Sequence, residues 1–233
     1  MGWSVLIFGF LVGLKHALEA DHVAAVASLA ARFRGRSAML RVGLLWGTGH
    51  GLTLLGVGAV LLSLGGLIPE NVARILETVV GGMLVLLGLD LLRRLARERV
   101  HFHIHRHADG QAHLHAHSHA GQSGHGSHRH AHPVGTQFRV LLVGLMHGLA
   151  GSAALVLLTA QTAPGFAEGM VYLLLFALGS SLGMVLLTLA ISVPLSLSAR
   201  HLTRVHSLLM AGVGVMTCLL GASIVVKHVF GWT

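Results

Sequence analysis

Leu11-Val12-Gly13-Leu14-Lys15-His16-Ala17-Leu18-Glu19-Ala20-Asp21-His22 sets two imidazoles and two carboxylates inside an apolar stretch long enough to cross a bilayer. Ionisable groups at membrane depth are expensive, so they face a pathway or a site and pair with something. A divalent metal ion is the cheapest partner here, because imidazole and carboxylate are its ligands and its charge offsets theirs. Part of this stretch returns later in the chain. Leu11-Val12-Gly13-Leu14-Lys15-His16-Ala17-Leu18 aligns without gaps with Leu142-Val143-Gly144-Leu145-Met146-His147-Gly148-Leu149.

Two further segments keep step with that match. Trp46-Gly47-Thr48-Gly49-His50 pairs with Phe176-Ala177-Leu178-Gly179-Ser180, and Gly81-x-Met83-x4-Gly88 with Gly214-x-Met216-x4-Gly221. The offsets are 131, 130 and 133 residues, a register that hardly drifts. Chance similarity among Gly- and Leu-rich helices is the competing explanation, and three matches in order argue against it. Six stretches come near the ~20 apolar residues a bilayer requires: Val5–Ala30, Val42–Ile68, Val72–Leu92, Val140–Ala160, Met170–Pro194 and Val205–Val229. Three spans per copy is an odd number, which turns the two copies upside down relative to each other. Inverted repeats are a transporter device, with the site near the midplane where the halves meet. The expected fold is therefore an all-α membrane protein of six transmembrane helices in two inverted three-helix repeats. Residues 1–92 form the first repeat, 93–137 a His-rich disordered loop, and 138–233 the second repeat.

Composition agrees with a membrane protein. The chain is 54% hydrophobic and 10% charged, where a soluble domain carries about 25% charged residues. Its 31 glycines suit helices that pack backbone to backbone in lipid, and such faces also permit a homodimer. A single cysteine, Cys218, excludes a disulfide framework or a thiolate cluster. The first span does not read as a signal peptide, since it lacks a basic leader and carries Glu19 and Asp21. Arg32, Arg34, Arg36 and Arg41 follow span one, Arg93, Arg94, Arg97 and Arg99 span three, and Arg200 and Arg204 span five. Arg74 and Lys227 are the exceptions. By the positive-inside rule, both termini lie outside the cytoplasm and the His-rich loop inside it. The net charge of +8 is thereby explained by orientation, and no nucleic-acid partner is expected.

On a regular helix His16, Glu19 and His22 form a drifting stripe on one face, while Asp21 lies about 140° from His16. The rise from His16 to His22 would be about 9 Å, too far for ligand bonds of about 2.1 Å. An interruption around Leu18–Asp21 is therefore expected, although no Pro or Gly marks it. His50, flanked by Gly49 and Gly51, is the candidate third ligand, and His147 a contributor from the opposite half. Thr48 and Ser152 are candidate hydroxyl contributors. Lys15 could pair with Glu19 or repel an ion. In the second copy Ser152, Ala153 and Ser180 replace Asp21, His22 and His50, so one half carries most of the ligands. The alternative is structural: Asp21 and His22 hydrogen-bonded to a neighbouring helix, and His50 a satisfied core residue.

His16-Ala17-Leu18-Glu19-Ala20-Asp21-His22, after Gly13-Leu14-Lys15, resembles the H-A-x-[DE]-A-D-H signature of the nickel/cobalt transporter superfamily. That superfamily takes in high-affinity permeases, resistance-type exporters and shorter urease-associated nickel permeases. The resemblance implies that His16, Asp21 and His22 form the selectivity and transport site, with Glu19 at the second acidic position. The Gly-His contexts at His50 and His147 fit it. Uptake permeases of this kind commonly have eight spans against the six expected here, which leaves the direction open.

Twelve of the chain's 19 histidines fall between His101 and His132, among Gly, Ser, Ala and Gln. They are His101, His103, His105, His107, His113, His115, His117, His119, His125, His128, His130 and His132. Interchangeable imidazole pairs favour weak, adaptable binding of Ni²⁺, Cu²⁺, Zn²⁺ or Co²⁺ over one fixed site, and nothing here can bury a core. The leading reading is a secondary transporter of Ni²⁺ or Co²⁺ in the cell membrane, with uptake favoured over efflux. The metal is cargo, not a catalytic cofactor, and a cytoplasmic metallochaperone is a candidate partner. No G-x4-G-K-[ST] is present, so proton or potential drive is expected. Competing readings are a metal-binding accessory or sensor without flux, and an intramembrane serine protease built on Gly179-Ser180-Ser181-Leu182-Gly183. The last leaves His16–His22 unexplained, so no enzyme is expected.

Overall fold

Helix α1 (Trp3–His16) stops at the first histidine of the motif, and α2 (Ala20–Ala30) starts beyond it. The structure is a computed structural model that describes residues 3–33, 35–65, 68–97, 101–106, 112–117, 134–148, 160, 162–201 and 203–231. Between α1 and α2 the turn tightens: the Leu18 amide donates to the Lys15 carbonyl (2.9 Å) and the Glu19 amide to the His16 carbonyl (3.0 Å). Glu19 is then extended, with φ −63° and ψ 148°. The interruption therefore covers Ala17–Glu19, a little before the expected place. Packing holds it where no Pro or Gly does, since Ala17 is fully buried against the backbone left open at Gly183.

The other helices among the described residues are α3 (Arg36–Leu64), α4 (Glu70–Arg97), α5 (Val134–His147), α6 (Phe166–His201) and α7 (Thr203–Phe230). Gly65 closes α3 in the left-handed conformation, φ 60°, the usual glycine end of a helix. Helices α3 and α4, and the stretches Phe166–Ser198 of α6 and Val205–Phe230 of α7, are long and apolar enough to cross a membrane. The first expected span is the broken pair α1 and α2. The fourth is described only as far as Gly148, apart from Ala160, so Ser152 and Ala153 lie outside the described residues. The fifth runs past its expected end, through Pro194 to His201, an internal proline of the kind membrane helices tolerate. Leu86, Leu208 and Met216 are each at least 66% exposed. Outward apolar side chains of that size suit lipid rather than water.

Glycines set how the helices meet. A Cβ on Gly13 of α1 would overlap the Phe176 carbonyl of α6, and one on Gly179 of α6 the Phe10 carbonyl of α1. On the other side, a Cβ on Gly144 of α5 would overlap the Trp46 carbonyl of α3, and one on Gly49 of α3 the Leu141 carbonyl of α5. Gly81 of α4 faces the Gly221 carbonyl of α7, and Gly88 faces Gly214. Close backbone contact is how helices gain packing energy where lipid removes the hydrophobic drive between them. Hydrogen bonds add to it. Ser28 of α2 meets Thr217 of α7 at 3.0 Å, and the Thr53 hydroxyl of α3 donates to the Leu145 carbonyl of α5 at 2.9 Å.

Charges gather at the helix ends. Arg32, just past α2, pairs with Asp90 of α4, and Arg94 reaches the same carboxylate at 3.0 Å. The arginine-bearing ends of the first and third expected spans are thereby side by side. Elsewhere, His228 of α7 pairs with Glu77 of α4.

Within the His-rich loop two short segments are described, and they pair as strands. Strands β1 (His101–Arg106) and β2 (Ala112–His117) pair antiparallel, with His101 opposite His117, His103 opposite His115 and His105 opposite His113. The reason is periodicity. His-Phe-His-Ile-His and His-Leu-His alternate with the period of two that a strand requires. His107, His119, His125, His128, His130 and His132 lie outside the described residues.

Candidate metal centre

The break after α1 redirects the chain so that both ends of the motif reach one place. His16 ends α1, His22 lies in the first turn and a half of α2, His50 in the middle of α3 and His147 at the end of α5. All four are at most 5% exposed. His22 is at their centre, with ring centroids 4.4 Å from His16, 5.4 Å from His50 and 4.2 Å from His147. An unbroken helix would hold His16 and His22 about 9 Å apart along its axis. The interruption is what makes the cluster.

Carboxylates orient three of the rings. His16 Nδ1 donates to Glu19 Oε1 at 2.9 Å. Asp21 Oδ1 accepts from the His22 amide at 2.9 Å and from His22 Nδ1 at 3.1 Å. Asp21 Oδ2 accepts from His147 Nε2 at 3.0 Å. A carboxylate holding one imidazole nitrogen fixes the tautomer and turns the other nitrogen's lone pair outward, the usual support of a metal-binding histidine. The structural alternative is thus half met: Asp21 is satisfied by His22 and His147. The imidazoles are not. His22 Nε2, His147 Nδ1 and both nitrogens of His50 are buried without a hydrogen-bond partner among the described residues.

Leaving a buried polar atom unpaired costs about 1–3 kcal/mol. Four such nitrogens in one cluster call for a ligand. Two groups have the right reach: His16, His22 and His50, and Asp21, His22 and His147. In each, one ligand atom per residue lies within 4.8 Å of the others. Two ligands on one ion stand at most about 4.2 Å apart, twice a bond of about 2.1 Å. Small side-chain adjustments would close either group.

All six residues singled out in the sequence (His16, Glu19, Asp21, His22, His50 and His147) are therefore brought together. Glu19 is on the rim, its side chain 46% exposed, and it turns to His16, while Lys15 is exposed. Thr48 is exposed. Three neighbours escaped the sequence reading. Trp46 stacks on His22, ring centroids 6.1 Å apart and planes within 3°. Phe176 tilts against His16 at 5.2 Å. Ser180 is fully buried, with its hydroxyl unpartnered, one helical turn beyond Phe176. Trp46 had a signal available, since it is four residues before His50 and so on the same helical face. Ser181 backs onto Gly47 inside the unbroken α6, without the sharp turn that exposes a serine nucleophile.

Lipid-facing helices around a buried, imidazole-rich cluster that could hold a metal ion define a multi-pass, helical membrane protein. The chain is 34% identical to the urease accessory protein UreH of Bacillus sp. (strain TB-90) over 223 residues, 94% of this chain and 89% of that protein. It belongs to the UreH family of urease accessory proteins. No protein-family model matches it, and no solved structure does.

Proposed function

We propose that the chain is a secondary transporter that moves Ni²⁺ or Co²⁺ across the cell membrane through the His16, Asp21, His22, His50 and His147 cluster. The observation that carries this reading is the set of four buried, unpartnered imidazole nitrogens around His22. Imidazole with one carboxylate suits Ni²⁺ and Co²⁺ better than Mg²⁺ or Ca²⁺, which prefer all-oxygen cages. A relative tied by name to urease, with the motif resemblance to urease-associated nickel permeases, favours uptake over efflux. The glycine contacts support two inverted three-helix repeats. The pairs Gly13 with Phe176 and Gly144 with Trp46 join equivalent places in the aligned strings, and so do the pairs across α4 and α7.

Both termini are outside the cytoplasm in this reading, and the His-rich loop is inside, where its imidazoles hold arriving metal for a cytoplasmic acceptor. The test is accumulation of labelled Ni²⁺ and Co²⁺ in cells expressing the chain, its His22→Ala variant, or a deletion of residues 106–132. Expected is a loss of flux of about 100-fold with His22→Ala, as when a metal site loses its central ligand, and a change of only a few-fold with the deletion. Unchanged flux in His22→Ala would remove the central site, and a drop in cellular metal on expression would reverse the direction. Metal binding without flux would make the chain an accessory or sensor.

A further inference from the structure

His22 belongs to both metal-competent groups, and its two nitrogens face different company. Nδ1 is against Asp21 at 3.1 Å, and Asp21 in turn holds His147 at 3.0 Å. Nε2 has no hydrogen-bond partner among the described residues, and His16 and His50 both stand within 5.4 Å of the His22 ring. One ring therefore presents a nitrogen to each group. Resting on the metal-transport reading above, we propose that the ion occupies two alternating positions inside the protein, one held by His16, His22 and His50 and the other by Asp21, His22 and His147, with His22 as pivot.

The two positions differ in preparation. For the first, His16 and His22 already have Nδ1 tied to Glu19 and Asp21, which leaves their Nε2 lone pairs for an ion, while His50 has both nitrogens unpartnered. For the second, Asp21 must exchange its hydrogen bonds from His22 Nδ1 and His147 Nε2 for the ion. Each ring then carries its proton on the other nitrogen, so no proton is gained or lost. Both positions cannot be filled together, because two dications on opposite sides of one ring repel strongly. Transfer between them breaks the bond to His22 Nε2 and makes one to Nδ1, while the ring proton passes from Nδ1 to Nε2, so His22 supplies a ligand to both positions and the ion stays within the protein.

They also differ in which helices they join. His16, His22 and His50 come from the end of α1, α2 and α3, all within residues 1–92. The second position adds His147 of α5, from the other side of the glycine contact between Gly144 and the Trp46 carbonyl. A shift of α5 against α2 breaks the second position and leaves the first intact. The all-imidazole position is thus the resting one, and the carboxylate-bearing position the one that opens.

The test is Co²⁺ and Ni²⁺ binding by the full chain in lipid nanodiscs, with Co²⁺ read by its visible ligand-field bands, alongside flux in proteoliposomes. Expected is that His50→Ala and His147→Ala each keep affinity within about tenfold of the parent, while His22→Ala and the double His50→Ala/His147→Ala variant lose about 100-fold or more. Flux should fall at least about tenfold in either single variant. The parent Co²⁺ spectrum should be a weighted sum of the two single-variant spectra. The loop histidines contribute equally to every variant and cancel in the comparison. If either single variant loses as much affinity as His22→Ala, or the parent spectrum is a single species unlike both, there is one composite site and the proposal falls. If the parent itself holds no more Co²⁺ than His22→Ala, the metal-site reading fails first, a different result. His50→Gln and His147→Gln, which nearly keep the volume, repeat the measurement where the alanine variants do not fold.

Discussion

The contact of α1 with α6 and that of α5 with α3 use the same device, and what surrounds them is different. In the first, Gly13 and Gly179 press against the carbonyls of Phe176 and Phe10; in the second, Gly144 and Gly49 press against those of Trp46 and Leu141. The side chains one step away have diverged. On α3 the residue after Gly49 is His50, with two nitrogens unpartnered among the described residues, and on α6 the residue after Gly179 is Ser180, with one hydroxyl likewise unpartnered. Backbone contact constrains the glycines in both places alike, because any side chain there would separate the helices. The neighbouring position carries no such constraint, so it is free to hold a ligand on one side and a small polar group on the other.

The most severe way to break this comparison is to fill the glycines. Gly144→Leu and Gly179→Leu should each cost about 3 kcal/mol or more, since overpacking a close contact forces the backbones apart. Thermal unfolding in detergent should show losses within about 1 kcal/mol of each other. A much milder effect at one glycine would mean that the two contacts are not equivalent.

Next come the neighbours of those glycines. His50→Ala should lower Ni²⁺ flux by about 10- to 100-fold, whereas Ser180→Ala should leave it within about twofold and relieve an unsatisfied hydroxyl worth about 1 kcal/mol. Equal losses at the two positions would place Ser180 among the ligands and restore symmetry to the site. The smallest expected effect is at the aromatic wall. Trp46→Leu removes the ring stacked on His22 and should weaken Co²⁺ affinity a few-fold, a loss of about 1 kcal/mol, with Phe176→Leu doing less. Isothermal titration of the purified variants would read the difference.

Much of the site could be read before any folding. His16, Asp21 and His22 stood out because ionisable groups are costly in an apolar span, and His50 and His147 because glycines beside them promise a close neighbour. The place of the break could not be read in detail, since no residue of Ala17–Glu19 is a helix breaker. It is held by the burial of Ala17 against α6, a contact between residues far apart in the chain. Trp46 and Phe176 looked like ordinary span residues, and only packing turns them toward the imidazoles. The pairing of His101–Arg106 with Ala112–His117 was legible in the alternation of the histidines, which reads equally as a supply of interchangeable imidazole pairs. Period-two spacing is a strand signal whether or not there is a core to bury.

Composition and spacing alone determined a membrane-embedded helical chain with metal-ligand chemistry in its first span, because the cost of burying charge and the length of a bilayer act on any sequence. The three-dimensional arrangement decided which imidazoles cluster, which nitrogens remain unpartnered among the described residues, and that His22 belongs to both groups that could hold a metal ion. Those depend on helices crossing at glycines more than 100 residues apart, as Gly13 and Gly179 are, and local spacing does not encode such distances.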